Sequence, residues 1–227
     1  MSVVAIDWLH TVDKGTAADY IGNLMWLLQQ KKMPGSTVEQ RVGEVFKDIV
    51  EYYKEANPDT QLQDLTPGMI RTGSTSPCFH GKAAEARFLV PWAVRAAAKF
   101  LDPTDAFENT VIQCGLELQQ CYNCLSAATF KAEVLEACCR RFALLLVALE
   151  ARSPDQDCWV CKPKLHLMQK LCETTGSCPS QSWTYRDEDM AGSVAALSQW
   201  RGGAKNPHSV GVALFERFVA QNPFPRL

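Results

Sequence analysis

Apolar residues in this chain recur at the three-and-four spacing of an α-helix nearly everywhere they cluster, and only once in the form of a strand. That pattern restricts the fold more than any other feature, because a helix-period stripe has to be buried against other helices. The clearest case begins at Ser36 and Glu39, a capping-box pair in which each side chain can bond the other's backbone N–H. Val42, Val45, Phe46, Ile49, Val50 and Tyr53 follow on one face. Before it, Thr16 can cap a helix running to about Lys32, with Ile21, Leu24, Met25 and Leu28 as its stripe, and Pro34-Gly35 breaks the chain. Residues 57–81 are looser, with Pro58, Pro67 and a run from Thr72 to Pro77, and leave room for a short helix from Pro67 to Arg71. Helix is expected again from about Lys82, kinked or divided at Pro91, which lacks an N–H and crowds the preceding turn. Two longer helices are expected near 104–126 and 129–152, the second closed by Ser153-Pro154-Asp155, and shorter ones at 163–174, 186–201 and 207–221. Val3 to Ile6 is the one strand candidate. The expected fold is mainly α: an irregular multi-helix bundle over residues 1–227 as a single domain, with at most one short N-terminal strand.

Composition excludes several classes. Hydrophobic residues make up 47% and charged residues 21%, which is globular and neither disordered nor fibrous. No apolar run reaches the roughly 18 residues of a membrane span. The richest stretch, Phe142 to Leu149, follows Arg140 and Arg141 and is too short. The first residues lack the basic start of a secretory signal, so the expected setting is intracellular, with no membrane partner. The net charge of −2 argues against a free-standing nucleic-acid-binding module. It is unevenly spread: residues 1–161 hold 15 Lys+Arg against 20 Asp+Glu, and residues 162–227 hold 8 against 5. Ten cysteines without a signal segment read as thiols.

Three constellations bear chemistry. Asp7-Trp8-Leu9-His10, with Asp13 three residues on, places acids and an imidazole at a strand end, where a divalent ion would find oxygen ligands; the plainer reading has His10 capping or packing at a helix start. Arg186-Asp187-Glu188-Asp189 gathers acids at an expected helix start, where the macrodipole favours them whatever the function. Cys121-x-x-Cys124 and Cys158-x-x-Cys161, with His166, Cys172 and Cys178 near the second pair, have zinc-like spacing. Cys121 and Cys124 fall inside a helix pattern, so packed thiols are favoured over zinc. No phosphate-binding glycine loop and no serine-hydrolase elbow occurs.

Three segments taken together look familiar. Asp7-Trp8-Leu9-His10 resembles the D-x-L-H segment around the second catalytic acid of transposon-encoded transposases with an RNase H-like fold. Lys162-Pro163-Lys164-Leu165-His166 resembles a K-P-K-x-H segment towards the C-terminal part of such proteins. Trp183 to Asp189, followed by Arg201-Gly202-Gly203, looks like the region holding their last acid. The nearest groups are the KDZ and Plavaka-like transposases and their hAT-like relatives. The resemblance implies that Asp7 is the second acid, that residues 16–160 correspond to a helical insertion, and that residues 161–227 carry the last acid at Glu188 or Asp187. It implies Mg²⁺ held by Asp7 and Glu188 for two-metal phosphoryl transfer on DNA. Lys162, Lys164, His166, Arg186 and Arg201 would then face phosphate.

Such enzymes place a first Asp on an earlier strand, and only six residues precede Asp7 here. The expectation is therefore a transposase-derived helical protein, silent as a nuclease by itself. It would carry no resident cofactor, would use Mg²⁺ if active, and would lack zinc. Its partners would be DNA or a protein supplying the missing half. It would be nuclear if transposase-like and cytoplasmic otherwise. The rival reading is an α-helical interaction or scaffold subunit, which exposed members of its six tryptophans would favour, since Trp is enriched at interface hot spots.

Overall fold

A computed structural model of the chain describes residues 6–154 and 157–185. The chain divides into two compact units, Met1–Ser182 and Trp183–Leu227, and the architecture below is that of the first. Of the second, only residues 183–185 are described; there the rings of Trp183 and Tyr185 meet edge-on at 5.3 Å. The expected helices at 186–201 and 207–221 and most of the expected N-terminal strand lie outside the described residues.

Six α-helices follow a wide helical turn at Leu9–Thr16: α1 Ala17–Lys31, α2 Val38–Ala56, α3 Ala83–Phe100, α4 Ala106–Asn123, α5 Ala132–Arg152 and α6 Pro163–Thr174. No strand occurs among the described residues. The protein is a multi-helix bundle, as the periodicity demanded. Helix α1 is its axis. From Ala17 to Gln29 nearly every side chain is buried, the mark of a helix enclosed on all sides, and it packs on the N-terminal turn, α2, α3 and α4. Helices α4 and α5 make the most extensive pair. They run antiparallel, since the short connection Cys124–Lys131 turns the chain back and Glu117 of α4 meets Arg141 of α5. Helix α6 lies on α5 and returns to the N-terminal turn.

Local chemistry corrects three expectations. The capping box of α2 is formed one residue later than expected. Thr37 Oγ1 accepts from Gln40 N, and Gln40 Oε1 accepts from the N–H of Thr37 and of Ser36. Glu39, the expected partner, faces solvent. Thr16 does not cap α1, because the chain is already helical there; its hydroxyl donates instead to Met168 Sδ. Pro91 does not divide α3, which runs through it unbroken from Ala83 to Phe100. Burial on both sides, with Leu89, Val90, Trp92 and Ala93 all in the core, holds the helix across the missing bond.

Residues 57–82 form a strap over α1 rather than a free loop. Leu62, Leu65, Ile70 and Phe79 are buried, Leu62 N donates to Tyr53 Oη, and Phe79 N donates to the Ala18 carbonyl at 2.8 Å. Gly22 permits that crossing. A Cβ there would overlap the backbone of Cys78 and Phe79, which explains a glycine in mid-helix despite its cost of about 1 kcal/mol.

Candidate functional site: the N-terminal turn and the start of α6

Asp7 opens the first helical turn. Its Oδ2 accepts from the backbone N–H of His10 at 2.9 Å and pairs with His10 Nδ1 at 2.7 Å, while its carbonyl accepts from Thr11 N. That is N-cap chemistry with the His ring folded back on the cap. The imidazole is otherwise half in solvent. Asp13, the second acid of the motif, points the other way. It is fully buried and accepts from Tyr122 Oη at 2.5 Å, with the indole of Trp8 edge-on to Tyr122.

The helix then loses its register. Lys14 and Gly15 leave helical geometry, and the N–H of Ala17 reaches back five residues to Val12. Such wide turns expose carbonyls that a regular helix would satisfy. Lys164 takes one of them: its Nζ donates to the Lys14 carbonyl at 2.6 Å. Gly15 gives its stem room, since a Cβ there would sit 2.6 Å from Lys164 Cδ. Lys162 pairs with Asp19 at 2.5 Å, and Pro163 starts α6 at a position where its missing N–H costs nothing. Lys14, Thr16 and Asp19, which follow the Asp7–His10 turn, are thus joined to Lys164, Met168 and Lys162, about 150 residues further along the chain.

The other candidates divide as follows. His166 is on the exposed face of α6. Arg186, Asp187, Glu188 and Arg201 lie outside the described residues, as does the expected approach of Asp7 to Glu188. Among the described residues no three or more His, Cys, Asp and Glu side chains converge as a metal site. All ten cysteines are thiols. Cys121 is buried on α4, and Cys124 sits at its C-terminal end. Cys158 is buried; Cys161, whose N–H donates to Glu150 Oε1, has its thiol pushed up to about 12 by burial and by the neighbouring Glu150.

A second concavity escaped the sequence. A cavity of about 290 Å³ lies between α1, the start of α4 and the segment after α5, walled by Trp26, Phe107 and Trp159 with Lys31 at its rim. Trp159 is buried with a left-handed φ of 61°, an uncommon geometry for a bulky residue. Asn23 holds it there. The amide Oδ1 accepts from Trp159 N at 2.7 Å, and Nδ2 donates to the carbonyls of Asp19 and Pro77. The Trp159 ring is clamped edge-on against Tyr20 and Phe107. The one available signal was Asn23 itself, an amide beside the Ile21, Leu24, Met25 and Leu28 stripe of α1.

No protein-family model matches the chain, and neither a curated protein nor a solved structure shows significant similarity to it.

Proposed function

We propose that this chain is a transposase-derived helical protein whose DNA-handling end is the junction of the Asp7 turn with the start of α6. One observation supports the reading above others. The residues that follow the Asp7–His10 motif, Lys14, Thr16 and Asp19, are bonded to Lys164, Met168 and Lys162 at the start of α6, which supports a common site for the two segments. The reading is of DNA contact rather than cleavage. Two-metal chemistry needs several carboxylates around both ions, and the Asp7 carboxylate already serves its own helix end. His166, with Arg186 and Arg201 from the basic C-terminal part, would meet phosphate, while Lys162 and Lys164 shape the surface from within.

Fluorescence anisotropy of labelled duplex DNA across a salt series tests this. The expected outcome is binding that weakens steeply as salt rises and falls a few-fold in His166→Glu and Arg201→Glu. Absence of binding at low salt, with the variants indistinguishable from the parent, would defeat the reading. Cleavage in Mg²⁺ or Mn²⁺ that disappears in Asp7→Ala would show an enzyme instead.

The scaffold reading keeps one observation in its favour: Leu144 and Val147 stand well exposed on the outer face of α5. Four of the tryptophans do not help it, while Trp183 is half-buried and Trp200 lies outside the described residues. Trp8, Trp92 and Trp159 are in the core, and Trp26 is covered by the guanidinium of Arg71, 4.8 Å from its ring centroid.

A further inference from the structure

The cavity between α1, the start of α4 and the segment after α5 is larger than a packing void. Interiors leave few holes bigger than a water molecule, and a volume of about 290 Å³ falls at the small end of ligand pockets. Three aromatic rings wall it, and each is held by a separate polar device. Trp159 is fixed in its left-handed conformation by Asn23, whose Oδ1 accepts from Trp159 N. Trp26 lies under the guanidinium of Arg71, which in turn pairs with Asp157; neither of these lines the cavity. Phe107 stands in the first turn of α4, where the capping carboxylate of Asp105 accepts from its N–H. Strained backbone persists only where its surroundings over-determine it, and it gathers at ligand clamps. Rings anchored in this way are pre-organised, which lowers the cost of binding.

The walls select a class of ligand. Trp26, Phe107 and Trp159, with the aliphatic side chain of Leu27, suit a flat apolar body. Such a set serves two kinds of guest: an aromatic ring, or an alkylated ammonium caged by rings. Charge decides between them. No Asp or Glu lines the cavity among the described residues, and the charged group at its rim is Lys31. Gln30 and Lys31, both exposed, mark the solvent side in the last turn of α1. Lys32 is engaged by Glu108 at 2.8 Å, whereas Lys31 enters no ion pair among the described residues. Its ammonium repels a cationic guest and forms a charge-assisted hydrogen bond with a carboxylate.

We propose that this cavity is a binding site for a small planar aromatic carboxylate. The ring system of the ligand sits among Trp26, Phe107 and Trp159, and its carboxylate meets Lys31 and the Gln30 amide at the rim. The rings supply most of the affinity through apolar burial, and Lys31 supplies the preference of sign. Because Lys31 is exposed, that preference is modest, about tenfold in affinity over a neutral ligand of the same shape. None of the lining residues belongs to the junction of the N-terminal turn with α6, so a ligand here is independent of DNA contact there.

Isothermal titration of the full chain with three probes of one ring system and different charge tests this: 2-naphthoate, 2-naphthamide and 2-naphthylmethylammonium. The expected result is saturable binding of 2-naphthoate at one per chain, about tenfold tighter than the amide, with the ammonium weaker still. Lys31→Glu, a change at an exposed position, should reverse that order. Gln30→Trp, which fills the mouth, should abolish binding of all three, with circular dichroism checking that both variants are folded. Absence of saturable 2-naphthoate binding, equal affinity for the three probes, or an order that folded Lys31→Glu leaves unchanged would overturn the proposal. Tightest binding of the ammonium by the unmutated chain would overturn it too and make the site a cage for cations. The charge series on the unmutated chain decides the matter even if a variant fails to fold.

Discussion

Asp48 shows how much one buried side chain can organise. It sits on α2, 7% exposed, and accepts from the indole Nε1 of Trp92 at 2.9 Å and from Lys99 Nζ at 2.5 Å, both on α3. Asp48→Ala would leave the Trp92 N–H in the core without an acceptor, at an expected cost of about 2–3 kcal/mol. Asp48→Asn keeps an acceptor for the indole and should cost about 1 kcal/mol. Urea denaturation of the two variants measures the difference; equal losses would mean that the indole bond contributes nothing. Sequence placed Asp48 only as a polar position between Val45 and Ile49. The partner that makes it matter lies 44 residues away, and no local pattern announces such a pairing. Asp7 and His10 are the opposite case. The plainer reading had His10 capping or packing at the helix start; Asp7 is the cap and His10 folds back on it, a local arrangement because both partners lie within one turn.

Among the elements, α2 and α3 offer contrasting tests. Thr37 is the working cap of α2, so Thr37→Ala should destabilise by about 1 kcal/mol, and Ser36→Ala by distinctly less, in the same denaturant assay. Equal effects would return the cap to Ser36. Pro91 interrupts the ladder of α3 without ending it. Pro91→Ala restores the N–H that can reach the Arg87 carbonyl and should raise stability by about 1–2 kcal/mol, part of the roughly 3 kcal/mol that proline costs inside a helix. A loss instead would show that the ring itself fills a needed volume. Helix positions were legible because stripe and cap are local signals. Continuity through Pro91 was not, because it depends on what packs against the neighbouring residues. The strap at 57–82 was likewise read as loose chain; its order comes from Tyr53, Ala18 and Asn23, none of which belongs to it.

At the scale of the whole molecule, the thiols set a pH limit on stability. Burial pushes Cys78 and Cys161 up to about 12 from an ordinary value of 9.0, and it raises Cys114 and Cys121 as well. An unfolded chain would ionise these groups near pH 9 while the folded one keeps them protonated. The stabilisation is therefore intact below about pH 9 and is lost as pH climbs from there through about 12. In a reducing buffer the Tm should be flat from pH 7 to about 8.5 and fall by several degrees by pH 10; a flat profile to pH 10 would mean that these thiols are solvated. Among the described residues no helix is long and apolar enough to cross a membrane. The sequence by itself determined that the chain is helical, where most helices start and stop, and which faces turn inward, because periodicity, capping and proline act over a few residues. Tertiary structure alone decided that Lys164 and Lys162 dock on Lys14 and Asp19, and that Asn23 holds Trp159 in a left-handed conformation beside a cavity. Each of these joins residues far apart in the chain, and only the packing of whole helices, which no short window of sequence encodes, brings them within reach.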